Sequence, residues 1–210
     1  MQRRRLTLWL AAIPGIAALL AGCATAPSDA EVSARATAML KASFKETGQA
    51  KLDRLDQDET QKACSAYAGR TPPGDVTERI EKANLAAIQW PADGKLLGDW
   101  KSGEKIAQAG QGMQYSDDPK VPSGANCYAC HQLAPQELSY GTIGPSLYQF
   151  GKARGYGVEI QKYAYGKVFN AQAYNACSNM PRFGHNRILT EQQIKDVVAL
   201  LMDPASPVNK

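Results

Sequence analysis

One short motif limits what this chain can fold into more than any other feature. Cys127 and Cys130 are separated by two residues, and His131 follows at once. This Cys-x-x-Cys-His spacing is typical of a site where two thiols bond covalently to the edge of haem c while the histidine binds its iron. A disulfide or half of a zinc site is the alternative, although common zinc sites do not place a third ligand directly after the second cysteine. The motif therefore predicts one covalently bound haem c.

Residues 1–22 have the pattern of an export signal. Three arginines precede the apolar run 6–20, which is too short to span a bilayer comfortably. Export agrees with the motif, because haem c is attached outside the cytoplasm. The Leu-Ala-Gly-Cys sequence ending at Cys23 matches a bacterial lipobox and predicts lipidation there. Ordinary cleavage after residues 24–26 is the alternative, with Pro27 unfavourably placed. We expect a periplasmic protein, tethered to a membrane if Cys23 is lipidated.

The net charge of the chain gives no indication of a nucleic-acid partner. The formal net charge of +4 becomes +1 when the three arginines of the signal are removed. The sequence has no basic patch and no basic residues interleaved with aromatic ones, so no nucleic-acid partner is expected.

The remaining cysteines form an even pair. Of the five cysteines, one belongs to the lipobox and two to the haem motif, which leaves Cys64 and Cys177. Because free thiols rarely persist in an oxidising compartment, we predict a disulfide between them, with two separate buried thiols as the alternative. Closing a loop of that length stabilises a fold by about 4–5 kcal/mol in chain-entropy models.

The exported chain divides into a helical N-terminal extension, residues 23–93, and a haem domain, residues 94–210. Apolar spacing predicts helices in the extension over residues 31–46, 60–67 and 76–88. Proline and glycine break the chain at 71–74 and again at 90–94. The extension either packs on the haem domain or is a loosely docked helical arm.

Residues 94–210 follow the element order of a class I cytochrome c. A first helix is predicted over residues 99–108, where Gly103 would allow another helix to approach closely. Pro145 follows the haem motif, and its carbonyl would accept the N–H of His131 and fix the imidazole; an ordinary turn proline is the alternative. A capping box at Thr190 begins the last helix, which Pro204 ends. The predicted fold is all-α, a class I cytochrome c-like domain with a helical extension.

The second iron ligand has two candidates. Met180 lies in a loop and is followed by Pro181, which keeps it extended. His185 is the other candidate, although it reads equally well as a surface histidine. Met202 falls beside the apolar stripe of the last helix and is expected to be packing. A Met/His pair gives a haem a higher potential than most other ligand sets, so we favour Met180.

Four segments of the haem domain resemble SoxX proteins, and the resemblance covers roughly residues 94–210. The similar segments are the haem motif at 124–131, the Gly-x-Ile-Gly-Pro-Ser-Leu element at 141–147, the methionine loop at 179–184 and the C-terminal stretch 196–209. The Asp-Pro-x-Ser-Pro-Val-Asn tail of the last segment is the most specific, since generic cytochromes lack it. The extension resembles that of the longer SoxX type.

The resemblance implies a partner and a reaction. SoxX is the monohaem subunit of the SoxAX cytochrome, whose SoxA subunit holds the catalytic haem and couples thiosulfate oxidatively to a cysteine of the carrier SoxYZ. The chain would then be the electron-transfer subunit of an L-cysteine S-thiosulfotransferase, not catalytic alone, passing electrons to a soluble acceptor cytochrome. The exposed haem edge around Cys127, Tyr128 and the Met180 loop, including Arg182, would face SoxA. The competing hypothesis is a free-standing class I cytochrome c lipoprotein that carries electrons without such a partner.

Overall fold

The computed structural model describes residues 26–68 and 70–210, so the predicted signal peptide and the lipidation at Cys23 lie outside the described residues. Within the described part the fold is all-α, as predicted, and its only β pairing is an isolated bridge between Thr47 and Ala50. No helix in these ranges has the length and apolarity needed to cross a bilayer. The helices are α1 (Asp29–Ser43), α2 (Glu59–Ala66), α3 (Gly74–Ala86), α4 (Trp100–Gln108), α5 (Phe150–Arg154), α6 (Val158–Phe169) and α7 (Glu191–Met202).

The chain divides into two compact units at a different point from the one that the sequence suggested. One unit ends at Ser43 and includes α1, and the other runs from Phe44 to Lys210. Residues 44–93, which the sequence placed in the extension, therefore belong to the same compact unit as the predicted haem domain.

Side-chain caps fix where several helices begin. Asp58 caps α2 and Thr190 caps α7, each in a reciprocal capping box with the residue three positions later. The Asp99 carboxylate accepts the backbone N–H groups of Lys101 and Ser102 at the start of α4. Helix α7 ends at Met202, two residues before Pro204.

Helices α4 and α7 cross at Gly103, and this crossing forms the centre of the core. A Cβ atom at Gly103 would overlap the carbonyl of Asp196 in α7, so only glycine permits the approach. Residues 194–202 of α7 are all buried, and Ile194, Val198 and Leu200 are wholly inaccessible to solvent. The expected close approach at Gly103 is thus confirmed. This core supports the loops that carry the haem motif and Met180.

Helix α3 joins the same core from the N-terminal side. Its buried Asn84 accepts a hydrogen bond of 2.9 Å from the amide of Asn170, which directly follows α6. Tyr165 in α6 is fully buried and its hydroxyl donates to the Gln89 carbonyl at 3.1 Å. Ile88 is buried in the apolar cluster that also contains residues of α6 and α7.

The C-terminal tail closes the fold after α7. The Asn209 amide donates to the carbonyls of Leu201 and Asp203 at 3.0 and 2.9 Å, which satisfies free acceptors at the end of α7. Its oxygen accepts the backbone N–H groups of Gly151 and Lys152 in α5. One side chain therefore links the ends of two helices.

Candidate functional site

The Cys-x-x-Cys-His motif forms a compact turn. Asn126 adopts a left-handed conformation with φ of 43°, and a single helical turn, Cys127–Ala129, follows it. The backbone N–H of His131 donates to the Cys127 carbonyl at 2.9 Å. The thiols of Cys127 and Cys130 are both free, so the two cysteines are not bonded to each other. The turn thus places two thiols and one imidazole within five consecutive residues.

A short loop orients the imidazole of His131. Its Nδ1 lies 2.7 Å from the carbonyl oxygen of Pro145, so this nitrogen donates to the carbonyl and leaves Nε2 free to bind a metal. The ring lies directly against Gly144, where a Cβ atom would overlap it. The backbone N–H of Gly144 in turn donates to the Cys130 carbonyl at 2.8 Å, which ties the loop to the motif.

The Cys127 thiol does not have the electrostatics of a redox-active thiol. Burial raises the pKa of the Cys127 thiol to about 12, whereas redox-active Cys-x-x-Cys pairs depend on a lowered thiol pKa. In residues 26–68 and 70–210, no three His, Cys, Asp or Glu side chains cluster in a way that could hold a metal ion. A Zn²⁺ site at the motif therefore has no complete set of such ligands there.

Met180 lies in the irregular segment between α6 and α7. It is partly buried and packs against the main apolar cluster, as Cys127 does. Its backbone N–H donates to the hydroxyl of Ser178 at 3.2 Å, and the exposed Pro181 follows it. The thioether thus lies on an anchored loop whose apolar side joins the same cluster as the haem motif.

His185, the other candidate ligand, is engaged elsewhere. Its Nε2 lies 3.7 Å from Oδ2 of Asp58. Burial and the nearby Arg182 lower the pKa of His185, and the attraction of Asp58 only partly offsets them. Met202 is buried in α7 within the apolar cluster, as expected.

Two residues expected to face a partner are buried instead. The Arg182 side chain is only 5% exposed and forms an ion pair of 2.6 Å with Asp58. Tyr128 is 6% exposed and belongs to the apolar cluster. The expectation that they lie on a docking face is wrong: Arg182 is drawn inward by a carboxylate distant in sequence, and Tyr128 fills the core beneath the motif. Sequence reasoning missed Asp58, whose sequence context shows only a helix cap.

A disulfide joins Cys64 in α2 to Cys177, with a Cα–Cα distance of 5.4 Å. Cys177 has a left-handed backbone conformation with φ of 60° and lies three residues before Met180. The disulfide therefore fixes one end of the methionine loop to α2.

Known proteins match this site and most of the chain. The model of the cytochrome c family matches residues 120–203, from just before the haem motif to the end of α7. The chain carries a cytochrome c domain. Over 157 residues it is also 40% identical to an uncharacterized lipoprotein of Aquifex aeolicus (strain VF5), in an alignment that covers 73% of each protein. The chain belongs to the same family as that lipoprotein.

The domain implies covalently bound haem c, and the geometry of the residues fits it. Cys127 and Cys130 are free thiols separated by two residues, suited to forming two thioether bonds. His131 has one ring nitrogen held by Pro145 and the other free. The chain is thus an electron-transfer protein, since a cytochrome c domain binds haem to exchange electrons.

Proposed function

We propose that this chain is the electron-transfer subunit of an extracytoplasmic SoxAX-type complex that couples thiosulfate to a cysteine of a carrier protein. The observation that carries the proposal is the SoxX-like C-terminal tail, which has a structural role here. Ser206 donates to the Leu200 carbonyl at 2.6 Å, Val208 is fully buried, and Asn209 links the ends of α5 and α7. Substitutions in the tail would disturb the packing of α7. The tail residues are therefore a structural part of the haem domain.

In this proposal the haem iron would be held by His131 and Met180. Pro145 fixes the tautomer of His131, and Met180 packs against the apolar cluster. His185 is less suited because it faces Asp58. When bound, haem c supplies reversible one-electron oxidation and reduction. The chain's own residues set the ligands, exclude water and hold the methionine loop.

The two iron ligands determine whether this subunit forms the S–S bond or only accepts the electrons that its formation releases. Bonding thiosulfate to a carrier thiol forms one S–S bond and releases two electrons and one proton. A haem with two protein ligands has no open position for a sulfur substrate, so the bond must form on the partner, a SoxA-type haem subunit acting on a SoxYZ-type carrier. The chain would accept the electrons one at a time and pass them to a soluble acceptor cytochrome.

The membrane tether belongs to the same proposal. The relative in Aquifex aeolicus is named a lipoprotein, and the lipobox before Cys23 gives this chain the same potential anchor. Lipidation at Cys23 would hold the complex at the periplasmic side of a membrane. Labelling with a radioactive fatty acid, with Cys23→Ser as the control, measures it directly.

Purification of the tagged chain from its native host tests the assignment. We expect a second, larger haem protein to co-purify, and thiosulfate-dependent electron transfer only when that protein and a carrier are present. A chain that purifies alone with full electron-carrier activity would instead be the free-standing lipoprotein. Thiosulfate turnover by the isolated chain with carrier protein would contradict the division of roles proposed here.

A further inference from the structure

Three contacts from the N-terminal part of the larger unit converge on the loop that carries Met180. Asp58 forms the 2.6 Å ion pair with Arg182. Cys64 is bonded to Cys177. In α3, the Glu81 carboxylate accepts the backbone N–H of Ala176 at 3.1 Å. The contacted residues lie on both sides of Met180: Arg182 is two residues after it, and Cys177 and Ala176 are three and four residues before it.

We propose that these contacts form a methionine clamp, in which Asp58 is a positioning residue that holds Met180 on the iron by acting through Arg182. The methionine clamp is defined by Asp58, Cys64 and Glu81. This inference rests on the proposed ligation of the haem by Met180. Residues 44–93 contribute no iron ligand, but through these contacts they would help to hold Met180 in place.

A thioether is a neutral and weak ligand, so a clamp that keeps the methionine loop closed would help to retain it. Its retention depends on how seldom the loop opens, and irregular loops open more readily than the helices beside them. Arg182 is buried, and a buried guanidinium without a counter-ion would draw the loop outward to regain water. Asp58 removes that tendency and so favours the closed loop.

Asp58 uses its two carboxylate oxygens for separate purposes, which makes the proposal testable. Oδ1 accepts the backbone N–H of Gln61 at 2.8 Å and caps α2, while Oδ2 accepts from Arg182. Asp58→Asn keeps an oxygen for the cap, since asparagine is an equally good capping residue. It replaces the oxygen that faces Arg182 and His185 with an uncharged group, and so removes the ion pair with Arg182 and the longer contact with His185 while keeping the cap.

The experiment measures how fast imidazole displaces methionine from the ferric holoprotein, followed by the loss of the weak long-wavelength sulfur–iron band. We expect Asp58→Asn to speed displacement by about tenfold, the effect of losing one charge-assisted hydrogen bond. Glu59→Gln is the matched control, because it removes a neighbouring carboxylate that pairs with Lys62 on the surface. It should change the rate by less than about twofold.

Two further variants separate positioning from general stability. Ile194→Val shortens a wholly buried side chain of α7 and should move the unfolding midpoint to lower denaturant without speeding displacement. Arg182→Gln combined with Asp58→Asn leaves no buried unpaired charge and so keeps the chain folded. If the pair acts as a unit, the double variant exchanges no faster than Asp58→Asn alone.

The outcomes distinguish the clamp from the ligation on which it rests. A wild-type protein without the sulfur–iron band would show that Met180 is not the ligand and would overturn both proposals. A wild-type protein with the band, in which Asp58→Asn and Glu59→Gln exchange equally fast, would overturn the clamp alone. Displacement that accelerates in Ile194→Val as much as in Asp58→Asn would likewise reduce Asp58 to a purely structural residue.

Discussion

Gly144 is the residue on which the position of the proximal histidine depends most directly. Any side chain there would overlap the ring of His131. We therefore expect Gly144→Ala to push the imidazole away from the Pro145 carbonyl and to destabilise the folded protein by about 2 kcal/mol. The haem absorption spectrum should report altered axial ligation, and denaturant unfolding should report the loss of stability.

Gly157→Ala is the matched control for this substitution. Gly157 has an ordinary φ of −67° and open space around its Cβ position. Its replacement should leave the spectrum unchanged and stability within about 0.5 kcal/mol. A normal spectrum in Gly144→Ala would mean that the loop can move aside without disturbing His131.

At the residue scale, local chemistry could be predicted and long-range pairing could not. The haem motif and the role of Pro145 follow from spacing, because covalent attachment and ligand orientation involve residues close in the chain. Arg182 looks like a surface arginine in sequence. Its partner Asp58 lies 124 positions earlier, and no local pattern marks that pairing.

Gly103 controls the contact between two helices. The Asp196 backbone of α7 occupies the space that a Cβ would need, and backbone cannot rotate aside as a side chain can. Gly103→Ala should thus separate α4 from α7 and lower the free energy of unfolding by about 2 kcal/mol or more. Gly74→Ala, at the open N-terminus of α3, should instead raise it slightly by restricting the unfolded chain. A Gly103→Ala protein as stable as wild type would show that the crossing is looser than described.

The ion pair between α2 and the methionine loop should make stability depend on pH. Burial of Asp58 opposes ionisation, but the Gln61 N–H and the Arg182 guanidinium outweigh it and lower the pKa of Asp58 below 3.8. A lowered carboxyl pKa contributes stability above the unfolded value that is lost as pH falls through the folded value. The stability difference between wild type and Asp58→Asn should therefore be full at pH 6 and disappear in strong acid. A difference that persists unchanged in acid would exclude the carboxylate charge as its source.

At the element scale, helices with caps and a single apolar stripe were predictable, while α6 was not. Helix α7 has both signals, and its predicted start and end agree with the structure. Helix α6 begins at Val158, where Gly157 supplies no side-chain cap, and its second half is buried almost all round, so no period of 3.6 appears. The helical conformation of α6 is determined by the packing of Tyr165 and Phe169 in the core.

At the scale of the whole molecule, residues 44–210 should unfold as one unit. Ile88 and Leu96 lie in the same apolar cluster as residues of α6 and α7, so the cluster extends across position 93. The predicted boundary between 93 and 94 rested on the Pro- and Gly-containing segment 90–94, which marks a change of direction in the chain. A composition break cannot by itself reveal which side chains pack across it.

The disulfide gives the sharpest test of that cooperativity. It joins residues 113 positions apart, and constraining so long a loop in the unfolded chain stabilises the fold by about 4–5 kcal/mol. Cys64→Ser/Cys177→Ser, or reduction of wild type, should lower the free energy of unfolding by that amount. Since the core contacts of Ile88 and the hydrogen bond between Asn84 and Asn170 remain, unfolding should still be a single transition at lower denaturant. Reductant added to the double variant controls for reduction of the haem iron. Two separate transitions would show that residues 44–93 fold apart from the cytochrome c domain and that the disulfide, not the shared core, holds them together.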